Sequence, residues 1–107
     1  MQGTSKSGLA AELVRCARHC EDTAAVYVER HGDAVATDVV SALLLVAAAM
    51  DTAATALEGT SPSVDIALLI AATLARDAVA AAERRGLDES LLHCVVDLRR
   101  VAERLHA

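Results

Sequence analysis

Residues 8–30, GLAAELVRCARHCEDTAAVYVER, place Leu9, Leu13, Cys16, Cys20, Thr23 and Tyr27 at successive spacings of 4, 3, 4, 3 and 4. Alternating steps of three and four keep side chains on one face of an α-helix, and a mean step near 3.5 is the seam of a helix bundle. Ser7 offers an N-cap oxygen at the start of this helix, and Gly32 supplies its stop. Both thiols of Cys16-Ala17-Arg18-His19-Cys20 lie on the seam, one turn apart, with Cβ atoms about 5 to 6 Å from each other.

The same pattern recurs downstream. A second helix beginning near Asp33 or Thr37 and ending at Gly59 carries Val39, Leu43, Val46, Met50, Ala53 and Leu57. Thr60-Ser61-Pro62 then reads as a cap followed by a first-turn proline, opening a third helix that ends before Gly86. Its buried side is marked by Ile66, Ile70, Leu74 and Val79, with Asp65 and Asp77 toward solvent, although alanine at most other positions blurs the period. Asp88 caps a fourth helix whose seam is Leu91, Cys94, Leu98, Val101 and Leu105.

Four helices joined by short, glycine-marked connections predict an all-α, antiparallel up-down-up-down four-helix bundle over residues 8–107, preceded by a flexible stretch over residues 1–7. Composition agrees. The chain has 107 residues, 54% of them hydrophobic, with Tyr27 as its one aromatic, so its core must be built from Ala, Leu and Val. That length suits one domain, and such small aliphatic side chains suit closely packed helices. A formal charge of -5, from ten basic and fifteen acidic side chains, argues against a nucleic-acid backbone as partner. The beginning of the chain has no apolar targeting core, and the run Ala42 to Met50 breaks at Asp51, short of a bilayer. The expectation is a soluble cytoplasmic protein, off the membrane, whose three cysteines a reducing cytosol keeps as thiols.

An antiparallel bundle returns the third cysteine to the first two. At about 1.5 Å of rise per residue, Cys20 and Cys94 both stand roughly 18 Å from the same end of the bundle, and Cys16 roughly 12 Å. The same count brings Met50 to the level of Cys16, with Val46 and Leu74 nearby. Thiolate and thioether are soft donors that select Cu(I) or zinc over hard cations, and two or three thiolates in a dry interior favour Cu(I). Zinc is the rival if His19 or His93 completes a tetrahedral set. Each histidine is one residue from a cysteine and so is rotated about 100° off the seam, toward a flank. The plain alternative is that all three cysteines, and Met50, are core filler. A Cys20–Cys94 disulfide is a further possibility. Asp97 reads as a solvated residue, and His31 and His106 as helix-terminal cations.

A Cys-x-x-x-Cys in the first of four alanine-rich helices, Gly59-Thr60-Ser61-Pro62 between the second and third, and His93-Cys94 opening the last resemble the bacterial four-helix-bundle copper-storage proteins over residues 8–106. That resemblance implies an interior lined with cysteines that hold Cu(I) ions. The chain departs from the family pattern at Val39, Leu43, Val46 and Met50 of the second helix and at Asp97 and Val101 of the fourth. Cys16, Cys20 and Cys94 are what carries over as thiol ligands.

The expected function is therefore binding of one or a few Cu(I) ions by Cys16, Cys20 and Cys94, with Met50, His19 or His93 assisting. Two alternatives stay open. One is a small copper-dependent enzyme using Asp97, His93 or His19, although no acid/base pair, nucleophile constellation or phosphate loop appears in the chain. The other is a metal-free bundle engaged in protein interaction, with Leu44, Leu45 and Ile70 as a homo-oligomer contact.

Overall fold

The structure, a computed structural model, describes residues 6–59 and 61–106. It has four α-helices: α1 (Lys6–His31), α2 (Thr37–Glu58), α3 (Val64–Arg85) and α4 (Glu89–His106), with a single 3₁₀ turn, Gly32–Ala34, between the first two. Each helix packs on the two beside it, in the cyclic order α1, α2, α3, α4, and among the described residues diagonal helices keep their Cα atoms more than 8 Å apart. The bundle is elongated, 45 × 22 × 19 Å.

Cross-helix pairs set the directions. Along α1, Glu12, Arg15, Cys20 and His31 meet Arg104, Asp97, Cys94 and Asp88, so α4 descends as α1 climbs. Asp38 near the start of α2 bonds Arg85 at the end of α3, at 3.2 Å. Glu83 of α3 pairs with Arg99 of α4. Val28 and Val40 share one groove with Ala24 and Leu44, which makes α1 and α2 antiparallel as well. The up-down-up-down order follows.

Core positions of α1, α2 and α4 fall where the heptad-like spacing puts them. Leu13, Cys16, Cys20, Thr23 and Tyr27 are buried, as are Val39, Leu43, Val46, Met50, Ala53 and Leu57, and Leu91, Cys94, Leu98 and Val101. The third helix differs from its expected seam. Its buried face is Ala71, Ala72, Ala75, Ala78, Val79, Ala81 and Ala82, while Ile66 and Ile70 are exposed. Alanine occupies little space beyond the backbone, so this helix seats itself close against α2 and α4 and turns its bulkiest residues outward.

Helix ends differ in detail. Lys6 and Ser7 are already helical, so Ser7 is not the cap; residues 1–5 lie outside the described residues. Pro62 stands in the turn before α3 rather than in its first turn: Ser63 is the N-cap residue, and Ser61 Oγ accepts a hydrogen bond from the Ser63 N–H at 3.1 Å. Thr60, read as part of that cap, lies outside the described residues. Asp88 caps α4 as expected, its Oδ1 accepting from the Leu91 N–H at 2.9 Å. Gly86 ends α3 with φ 94°, a backbone conformation that side chains with a Cβ rarely adopt.

α2 is long and apolar enough to cross a membrane by length and composition, with mean hydropathy 1.8 over its most apolar window, which runs through the break at Asp51. In the bundle Val39, Leu43, Val46, Met50 and Leu57 are buried, while Leu44 and Leu45 are exposed.

Candidate metal centre

The seam of α1 presents Cys16 and Cys20 to the interior, and the seam of α4 presents Cys94. All three are free thiols and essentially sealed from solvent. Cys20 Sγ and Cys94 Sγ are 3.7 Å apart, in hydrogen-bond contact across 74 residues of sequence. Cys16 lies one turn before Cys20 on the same buried face of α1. The level counted from helix rise therefore coincides with an actual sulfur contact.

The thiols share their protons unequally. Hydrogen bonds to Cys16 and Cys94, reinforced by burial, push the Cys20 thiol far up. Cys94 is pushed down, first by its hydrogen bond with Cys20, against the opposing effect of burial, and then by the Thr23 hydroxyl and the nearby His19.

Among the described residues no group of three or more His, Cys, Asp and Glu side chains is placed so that it could hold a metal ion. Met50 is fully buried in the same core.

The histidines are placed differently from the thiols. His19 Nδ1 hydrogen-bonds Asp97 Oδ2 at 2.9 Å, and its side chain is about one third exposed. His93 is exposed on α4. Both line an open groove of about 400 Å³ between α1 and α4, together with Asp22, Thr23, Glu89 and Ser90. No cysteine lines that groove.

Asp97 is a correction to the reading of this residue as solvated: it is 4% exposed. Burial alone would raise its pKa, but hydrogen bonds from Arg15, His19 and Arg100 outweigh that and hold the carboxyl well below the usual range. Arg15 donates two of them, at 3.0 and 3.1 Å, and Arg100 one at 2.7 Å. The signal was available in the sequence. Asp97 is three residues after Cys94 and one before Leu98, at the edge of the α4 seam, with Arg15 flanking Cys16 on the facing helix. An acidic residue at such an edge must find cations or lose its charge.

His31 Nε2 and Asp88 Oδ2 are 3.1 Å apart and pin the end of α1 to the start of α4. Bonds from Ser90, His31 and the Leu91 N–H overcome the effect of burial and lower the Asp88 pKa to about 2.

Set against models of protein families, curated proteins and solved structures, the chain has no match in any of the three.

Proposed function

We propose that this bundle binds Cu(I) in its interior, holding one or a few ions on Cys16, Cys20 and Cys94 in a reducing compartment such as the cytoplasm. One observation supports the reading: two cysteines far apart in sequence touch, sulfur to sulfur, in the buried core, with a third buried one helical turn from Cys20. Each added Cu(I) displaces thiol protons, and a low-charge ion with few ligands suits a site that offers sulfur and little else. The Met50 thioether is the uncharged sulfur available to assist; His19 and His93 are flank residues whose part lies outside the thiol cluster. Binding is favoured over catalysis because the thiols are buried and no cysteine lines the α1–α4 groove.

The test is anaerobic reconstitution with Cu(I) and competition against a chromogenic chelator. The expected outcome is retention of at least one Cu(I) per chain, with affinity reduced by roughly tenfold or more in Cys94→Ala and in Cys20→Ala. Wild-type protein that surrenders all its copper to a weak chelator sinks the reading.

A second reading is favoured by a different observation. Leu44 and Leu45 on α2 and Ile66, Leu69 and Ile70 on α3 are each about half exposed or more. A second copy of the chain, related by a two-fold axis, would cover such a self-complementary face. Light scattering on the metal-free protein checks it: a strictly monomeric mass removes it.

A further inference from the structure

Cys20 Sγ on α1 and Cys94 Sγ on α4 stand 3.7 Å apart, although 74 residues separate them in the chain. A disulfide holds its sulfurs at about 2.05 Å, so the two must approach by roughly 1.7 Å in all, a movement that rotation about two Cα–Cβ bonds can share. Cys16 and Cys20 are placed differently. Two Cβ atoms one helical turn apart lie about 5 to 6 Å from each other, whereas a disulfide holds them at about 3.5 to 4.5 Å. A link between them would distort α1, which runs unbroken from Lys6 to His31. The folded bundle therefore favours Cys20–Cys94. An unfolded chain has no such preference: there Cys16–Cys94 closes as readily, and the short Cys16–Cys20 loop costs less entropy than one of 74 residues. Cys20 and Cys94 are also sealed from solvent, at 0% and 1% exposure, so a bond between them lies out of reach of external thiols once the bundle has folded.

We infer that Cys20 and Cys94 are a redox pair, which in an oxidising environment closes to a disulfide tying α1 to α4 and leaves Cys16 as a thiol. The oxidant is a small-molecule disulfide such as oxidised glutathione, which meets the cysteines while the chain is unfolded or opened. One cysteine thiolate attacks a glutathione sulfur, the glutathione S–S bond breaks, and one glutathione thiol leaves, with a mixed disulfide behind it. The second cysteine thiolate attacks the protein sulfur of that mixed disulfide, which forms the Cys20–Cys94 bond and releases the other glutathione thiol. Two protein thiols are oxidised, one glutathione disulfide is reduced, and the two thiol protons end on glutathione. Whatever the fold adds to the stability of this bond, the bond adds to the stability of the fold. Closure takes two of the three thiols proposed to hold Cu(I), so the cross-linked and copper-loaded bundles exclude one another; that consequence alone rests on the copper-binding reading, and the cross-link needs no metal.

The experiment dilutes reduced, urea-unfolded protein into a glutathione redox buffer that permits folding, beside a second sample kept in the same buffer with urea. Free thiols are then blocked with N-ethylmaleimide and both samples are cut with trypsin without reduction. Cleavage after Arg15, Arg18, Arg30, Arg85 and Arg99 puts the three cysteines on separate peptides, 16–18, 19–30 and 86–99. In the folding sample the cross-linked pair 19–30 with 86–99 is expected in roughly tenfold excess over any other pairing, with peptide 16–18 carrying the maleimide. The urea sample should show mixed pairings and glutathione adducts. The oxidised bundle should melt about 10 °C or more above the reduced one, and dithiothreitol added during unfolding should abolish the difference. Another pairing that dominates the folding sample overturns the inference, as do thiols that stay free there while the urea sample is oxidised. Equal melts of the oxidised and reduced forms overturn it too, because a bond the fold selects must stabilise the fold.

Discussion

Asp97 shows how much one side chain at the edge of a seam can organise. With 4% of its surface exposed, it gathers Arg15 and His19 from α1 and Arg100 from its own helix. Both arginines are half exposed or more, so water can recover them if the carboxylate is lost. Asp97→Asn is therefore expected to cost about 1 to 3 kcal/mol, read from urea unfolding at pH 7. The sign of the pH dependence follows from the lowered pKa values. Folded Asp97 and Asp88 bind protons less readily than the unfolded chain, whose carboxyls titrate near 3.8. Their stabilisation is thus in place above about pH 4 and is lost as pH falls toward 2. Thermal melts from pH 5 to pH 2 should show that loss in wild type and a shallower decline in Asp97→Asn; equal slopes would remove Asp97 from the account.

Among the elements, α3 departs furthest from its sequence pattern. α1 and α4 advertise their inner faces because their Leu, Val and Cys seams are set among polar residues, and α2 does so by the three-and-four spacing of its large side chains. In α3 alanine stands on every face, so the large residues were the natural marks of the core, and two of them, Ile66 and Ile70, point to solvent. Close packing leaves no room behind the small ones. Ala75→Leu, at a site with 0% exposure, should cost about 1 to 3 kcal/mol by overpacking. Ile66→Ala, 61% exposed, should move stability by less than about 0.5 kcal/mol. Urea midpoints at constant slope compare the two directly, and a reversed order would mean α3 is rotated from the position described. At the end of α3, Gly86→Ala meets open space but must adopt φ 94°, so a loss of about 1 to 3 kcal/mol is torsional rather than steric.

At the scale of the whole molecule, the proposed copper binding carries a consequence for stability. An ion that binds the folded bundle at a concentration a hundredfold above its Kd adds about 2.7 kcal/mol to the unfolding free energy. Anaerobic melts with Cu(I) should rise for wild type and stay unchanged for a Cys20→Ala/Cys94→Ala variant; a rise in both would place the ion elsewhere. The bundle, its helix order and the level at which Cys20 and Cys94 meet were legible in the sequence. They rest on periodicity, turn residues and a fixed rise per residue, all of which are local. Which cations Asp97 gathers, the outward isoleucines of α3 and the groove carrying His19 and His93 were not, because each depends on how far a helix is rotated about its axis and on what its neighbours bring to that side. Sequence alone set which residues share a face; only the packed molecule decided which face meets sulfur, which meets a cation and which meets water, since that choice is made by the summed fit of four helices at once.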